Sequence, residues 1–349
     1  MSVSEALKSR DASLLPSRRD EAWRYTDLRA AVRTIPEPSP LGTVPAAPGP
    51  FAAIKADRAL VIINGRGPEV LSLDTGQVLC VELRLVADSH ATSHQSDLRI
   101  DLASGAHLTL LESHEGRGAA YLSSANLIVH LAEGASLERV VILDEPSDAV
   151  SVITADITLS PGASLKQTVL TRGASRQRFE TQVTHPGGGA SVRLDGVYML
   201  ADKCHTDLTT IVTHVGPGGT TDQLTKGAVR DASRAVFQGQ IQVQPGADQT
   251  DARMGHHALI LSDRAEIDAK PELEIFADDV SCAHGNTVGA LDEDALFYIC
   301  SRGVPLDQAR AMLVQAFGLE VIGRIETEAV REVAQAWLAE VGAGGSDGL

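Results

Sequence analysis

Apolar and polar positions alternate with period two through LRIDLA, HLTLLES, NLIVHLA, LERVVILD, SVITADITL and LKQTVL, and these stretches are rich in Val, Ile and Thr. Successive side chains of an extended backbone point to opposite faces, so this pattern predicts half-buried strands. The alternations follow turns of one form, a glycine and then a small or polar residue: TGQVL, SGAHLTLL, EGASLERVVIL, PGASLKQTVL, GGASVRL, GGTTDQL and PGADQ. With Gly76, Gly105, Gly134, Gly162, Gly189, Gly219 and Gly246 as markers, the intervals are 29, 29, 28, 27, 30 and 27 residues. A period of this size marks a solenoid, in which no coil buries its apolar face without its neighbours. Glycine at each corner supplies a positive-φ or crowded backbone position. The expected fold is therefore mainly β, a right-handed parallel β-helix of about 28-residue coils over residues 51–290, its clear repeat beginning near residue 70. A β-sandwich would turn roughly every 8–12 residues and would not hold one glycine register for so long.

Outside this stretch the period changes. Residues 1–35 read as a helical region: Ser2 or Ser4 can cap a short helix, and SRRDEAWRYTDLRAAV from Ser17 places Trp23, Leu28 and Val32 at loosely helical spacing. Residues 36–50, PEPSPLGTVPAAPGP, hold six prolines in fifteen residues and read as a linker. After Gly289, LDEDALFYICSRG offers Asp292 as an N-cap and Gly303 as a stop. LDQARAMLVQAFGLEV puts Ala309, Met312, Leu313, Ala316 and Phe317 on one stripe, and EAVREVAQAWLAEV does the same for Val330, Val333, Ala334, Trp337, Leu338 and Val341. Residues 291–342 are thus expected to form a C-terminal helical domain whose removal leaves the solenoid folded, with a disordered tail at 343–349.

Composition narrows the function. Hydrophobic residues make up 43% of the 349 and aromatics only 3%, so the core is built from Val, Ile, Leu and Ala. A net charge of -16 argues against a nucleic-acid partner, which needs excess Lys and Arg to displace counterions. The N-terminus lacks the apolar core of a secretion signal, and no run of about 18 apolar residues could span a bilayer, so a soluble cytoplasmic protein is expected. Cys80, Cys204, Cys282 and Cys300 follow neither zinc nor disulfide-scaffold spacing and are expected to be reduced thiols. There is no P-loop, dinucleotide fingerprint, HExxH or GxSxG, so no enzyme class is indicated and no catalytic residue is assigned.

Glycine clusters such as HPGGGAS and HVGPGGTT are expected to be corners, and the scattered carboxylates a solvated surface, with Asp278 and Asp279 on opposite faces of a strand. His256 and His257 are adjacent, so only one faces inward; His205 and His214 are nine apart and face opposite ways. Each is expected to be a surface or satisfied core histidine. In DDVSCAHGNTVG, Cys282 and His284 share one face and could grip a single ion, yet zinc and iron-sulfur clusters ask for four ligands.

KPELEIFADDVSCAHGNTVGALDEDALFYICSRGV followed by ARAMLVQAFGLEV resembles the C-terminal signature of the SufB/SufD family of iron-sulfur cluster assembly scaffolds, and QLTKGAVRDASRAVFQGQIQVQPGADQTDA resembles its last coils. DEAWRYTDL and ALVIINGR resemble the SufD branch, although the chain is shorter than that branch on its N-terminal side. The resemblance implies a β-helix between helical ends and a non-enzymatic scaffold that pairs with SufB and docks the ATPase SufC. It implies that Cys282 and His284 lie at the subunit interface as an incomplete metal set, where iron or a nascent cluster is held transiently and no cofactor is bound stably by this chain alone. It also implies ATPase docking along Asp292–Gly303 and Asp307–Phe317, with Phe297, Tyr298, Arg302, Gly303, Arg310 and Phe317 as partner contacts. Self-pairing without SufB, a carbohydrate-active β-helix enzyme and a purely structural adaptor are the competing readings.

Overall fold

The computed structural model describes residues 3–43 and 47–343. Strands are dealt alternately into two nine-stranded sheets, and every strand pair is parallel. The first sheet runs from Glu37–Pro38 and Val70–Leu73 through Thr92–Leu102 to Glu266–Ile275, and the second from Arg58–Ile63 through Val78–Ala87 to Val280–Gly289. About eight turns of about 29 residues make a parallel β-solenoid, as the repeat predicts.

The corner glycines work through backbone conformation. Gly76, Gly105, Gly134 and Gly189 have φ between 66° and 75°, with open space where a Cβ would stand. One marker moves: Gly218, at φ 70°, is the corner, and Gly219 is not. With Gly218 the intervals become 29, 29, 28, 27, 29 and 28 residues, a tighter period than Gly219 gives. The opposite corner of the coil has no glycine register, because Ala91, Ala120, Gly173, Asp202 and Asp231 take its positive φ in turn.

Inside, equivalent residues stack into ladders. One ladder of the first sheet reads Leu73, Leu102, Leu131, Leu159, His185, His214, Val243 and Ile275. His185 and His214 stack at 4.3 Å between ring centroids, in places that leucine fills in earlier coils. Burial depresses both, His214 to about 3, with His185 adding to the effect on His214. The second sheet carries a buried ionic cluster: Arg139 donates to both oxygens of Glu112 at 2.8 Å and to Gln167 Oε1 at 2.8 Å. Glu112 is held near 2 because Arg139 and His114 outweigh the upward push of burial. Glu112, Glu145, Asp195 and Asp207 are all buried, so the expected solvated carboxylate surface holds only in part.

The N-terminal region is helical, as expected, but only in short pieces. It comprises α1 (Val3–Ser9), two 3-10 turns and the four-residue α2 (Leu28–Ala31). The stretch from Glu21 to Thr26 is a strap over the outer face of the first sheet: Arg178 stacks on Trp23 at 4.4 Å, and Thr26 Oγ1 donates to Asp207 Oδ2 at 2.6 Å. Asp207 is already committed to Arg178 at 2.6 Å, so tertiary ion pairing overrides the helical spacing. Ser4 lies within α1, and Ser2 lies outside the described residues. The proline-rich linker is also tied down, since Glu37–Pro38 pairs with Thr92–Ser93 and Ser39 N donates to Ser93 O at 2.8 Å.

After the last coil come α3 (Glu293–Ser301), α4 (Leu306–Ile322) and α5 (Glu328–Ala343). Asp292 caps α3 through Ala295 N at 3.0 Å, and Gly303 ends it at φ 91°. The helices fold back over the middle of the second sheet, where Val140, Ile142, Leu170, Val197 and Met199 bury against Val321, Ile322, Val330, Ala334 and Leu338. The α5 stripe is as expected. In α4 the buried residues are Ala309, Gly318, Val321 and Ile322, whereas Met312 and Ala316 are exposed. Glycine at 318 permits that rotation, because an added Cβ there would meet Met199 and Leu338. A polar latch fixes the α4–α5 elbow: Arg193 donates to Arg324 O at 2.6 Å, and Thr327 Oγ1 donates to Glu138 Oε2 at 2.5 Å. The shared apolar patch argues against the expectation that the solenoid stays folded without these helices. The tail from 344 onward lies outside the described residues.

Candidate functional site: the terminal coil and the helices beside it

Each sheet ends on one strand of the same coil, Glu266–Ile275 in the first and Val280–Gly289 in the second. Among the described residues both strands have an unpaired edge, and the helices that follow pack elsewhere. The ladders show what this does. Cys282 stands in the ladder Leu79, Leu108, Leu137, Leu165, Val192, Thr221, Ala252, Cys282. His284 ends the ladder that begins Val81 and Leu110 and passes through Met254. Both therefore face the solenoid's interior direction, at an end that nothing covers among the described residues.

The structure keeps the two residues on one face, as their spacing predicts. Cys282 is half-buried against a cluster of Phe237, Ala252 and Met254, and burial pushes its thiol up. His284 is exposed. Among the described residues no group of three or more His, Cys, Asp and Glu is arranged to hold a metal ion, so this pair is an incomplete set. Asp278 and Asp279 lie in the turn before the strand rather than within it, and both are exposed.

Sequence reasoning turned one histidine of the His256–His257 pair inward, as found, but missed its partners Tyr198 and Asn286. His256 is fully buried and parallel to the Phe237 ring at 4.5 Å, while His257 points outward. His256 Nε2 lies 3.0 Å from Tyr198 Oη, and its Nδ1 lies 2.7 Å from Asn286 Oδ1. Desolvation holds His256 down at about 4, so it is neutral at physiological pH. The available signal was alternation: Asn286 is two residues beyond His284 and shares its face.

The expected partner contacts divide. Phe297 and Tyr298 on α3 are exposed at 76% and 59%, and Leu306 and Met312 on α4 are exposed as well. Arg302 lies over the Tyr298 ring at 5.1 Å. Phe317 is engaged from within, with Lys226 Nζ 4.4 Å above its ring. Arg310 lines a cavity of about 950 Å³ between the helices and the solenoid, whose floor includes Met199, Leu200 and Cys204. Gly303 is a helix stop with no contact role visible. All four cysteines are unpaired.

The site is thus the uncovered end of a parallel β-solenoid that carries an incomplete Cys282–His284 pair, followed in the chain by helices with exposed apolar side chains. The family model for the SUF system FeS cluster assembly SufBD core domain matches residues 85–317, and the chain belongs to that family, in its SufD branch. It is 32% identical to the iron-sulfur cluster assembly protein SufD of Escherichia coli over 70% of this chain and 57% of that one. It is 28% identical to SufD of Bacillus subtilis over 56% of this chain and 52% of that one. A SufBD family protein of Mycobacterium bovis matches at 26% over 92% of this chain and 88% of its own length. The matched stretch thus spans little more than half of the two SufD proteins. No helix among the described residues is long and apolar enough to cross a membrane.

Proposed function

We propose that this chain is a non-enzymatic SufD-type subunit of a cytoplasmic SUF complex. It pairs with a SufB-like scaffold through the terminal coil and takes a SufC-like ATPase on the exposed face of α3 and α4. Iron or a nascent cluster is held between the two scaffolds as cargo. The observation that carries this reading is the terminal coil itself: two open sheet edges and an incomplete Cys282–His284 pair on one surface. Open edges recruit strands from another chain, and a partner seated there brings the ligands the site lacks. The absence of any P-loop in the sequence fits a subunit whose nucleotide chemistry is done by its partner.

Anaerobic co-purification with candidate SufB and SufC proteins, followed by iron and sulfide analysis, tests the assembly. A ternary complex carrying iron and sulfide is expected. Replacing both Cys282 and His284 with alanine should leave the complex intact and strip most of its iron and sulfide. Unchanged iron and sulfide in that variant would reduce the chain to a structural adaptor.

A further inference from the structure

We infer that Asn286 is a third group of the terminal-coil site, held from behind by buried Tyr198 and His256 so that its amide N–H groups face a sulfide or thiolate of the cargo. This rests on the cluster-handling reading above and adds a positioning residue to it.

The ladder that ends at Asn286 reads Leu83, Glu112, Val141, Val169, Gly196, Thr225, His256, Asn286. Its last two members are polar and bonded to each other, in the two coils nearest the open end. Tyr198 reaches them from further back. Its register partner is Gly227, and a Cβ there would run into the Tyr198 ring. Glycine thus clears the path by which a tyrosine of the strand Ser191–Leu200 touches a histidine of the strand Thr250–Ile260.

The hydrogen-bond directions follow from satisfying buried donors. Tyr198 is fully buried, desolvation keeps its hydroxyl protonated, and His256 Nε2 is the one partner that its oxygen has among the described residues. If Nε2 carried the ring proton, the tyrosine hydroxyl would be a buried donor with no acceptor, which costs more than a lost surface bond. The hydroxyl therefore donates to Nε2, the neutral ring carries its proton on Nδ1, and Nδ1–H donates to Asn286 Oδ1. With its oxygen engaged, the Asn286 side chain offers only N–H donors to what approaches. Its amide nitrogen has no partner among the described residues, and the residue is exposed on the face of His284, roughly 7 Å along the strand. Donors to sulfur stabilise anionic sulfide and tune cluster potential.

The test uses the full chain in the anaerobic complex with its scaffold and ATPase partners. N286D keeps the acceptor for His256, removes the amide donors and adds a negative charge. N286D should keep the free chain's denaturation midpoint and its partner capture, lose acid-labile sulfide on dilution about tenfold faster, and shift the visible absorption and circular dichroism of the bound cluster. Y198F, which frees the His256 ring proton to either nitrogen, should move the same signals less. Identical sulfide loss and spectrum in N286D, alongside loss of both in the Cys282→Ala, His284→Ala variant, would leave Asn286 only pinning its strand. Loss of partner capture by N286D would make it an interface contact and equally end the proposal. If the Cys282, His284 double variant also keeps its cluster, the underlying reading fails instead.

Discussion

The two ends of the solenoid are built from the same repeat and finished in opposite ways. At the N-terminal end Ile62, Leu71 and Leu73 are 2–3% exposed. The turn after Ile63 is tied down by the Asn64 amide, which donates to Pro40 O at 3.0 Å and accepts from Asp88 N at 2.8 Å. At the C-terminal end, Ile275, Phe276 and Val288 are 41–61% exposed, and no turn or helix among the described residues covers them. Where upstream coils place Leu79, Val81 and Leu83, the last coil places Cys282, His284 and Asn286. A ladder that must hold a core together selects leucine. A ladder that ends in the open can carry chemistry, because its last member has a neighbour on one side only. The buried end serves the fold; the bare end leaves edges and side chains free, as the proposed pairing requires.

The sharpest way to break this comparison is to put the same charge at both ends of one ladder. Leu73→Lys buries an unpaired ammonium and should cost about 4 kcal/mol or more. Ile275→Lys, seven ladder positions further on, should change stability by no more than about 0.5 kcal/mol while weakening scaffold pairing at least tenfold. Chemical denaturation of the isolated chain and titration of the partner scaffold measure the two arms. Equal destabilisation at both positions would mean the terminal coil is closed in solution.

The next effect lies where the ladder changes from leucine to histidine. The folded pKa of His214 is depressed to about 3, far below the usual 6.5, by burial and by His185. The folded state therefore binds fewer protons than the unfolded chain. That stability is fully present above about pH 6.5 and is lost as pH falls from there toward 3. His94, His205 and His256, all held near 4 with burial as the leading cause, act in the same direction. Urea midpoints should drop steeply between pH 6.5 and 4.5. His214→Leu, which restores the residue of the earlier coils, should make that drop shallower by about one proton's worth. An unchanged slope would show that His214 titrates normally.

Most of the architecture was legible because it rests on two local signals, alternation and positive-φ glycines. The inward ladders of Leu and Val, the Asp292 cap and the α5 stripe all follow from spacing. What failed depended on distant partners. The strap around Trp23 was read as helix because its spacing allowed one, and only Arg178 and Asp207, more than 150 residues away, decide otherwise. The buried Glu112–Arg139 pair looked like surface, since each charge is costly inside until the other is supplied by the next coil. At the site, the Cys282–His284 face was visible from period two. The openness of the end was not, because it depends on α4 and α5 packing back over the second sheet.

A smaller effect separates the exposed helix hairpin from the core beneath it. Phe297 is mostly in water, so Phe297→Ala should leave the denaturation midpoint unchanged, within about 0.5 kcal/mol, while lowering ATPase capture several-fold. Phe317, already stacked under Lys226, should show the reverse balance, losing stability more than capture. Pull-down and thermal melting of the two variants side by side decide it. Equal capture by wild type and Phe297→Ala would move the docking surface elsewhere.

The finest test concerns the corner that leads into the altered coils, where two adjacent glycines are kept for different reasons. Gly218 has φ 70° and open space around a would-be Cβ, so its constraint is conformational. At Gly219 a Cβ would lie 2.5 Å from His185 Cε1 and 3.1 Å from His214 Nδ1, so its constraint is room beside the histidine stack. Asparagine tolerates the left-handed region better than alanine but is larger. At position 218 alanine should therefore cost about 1–2 kcal/mol and asparagine less. At position 219 the order should invert, with alanine the milder change, because the fault there is overpacking. The same order at both positions would mean that one constraint, not two, holds this corner, and that the histidine stack is free to make room.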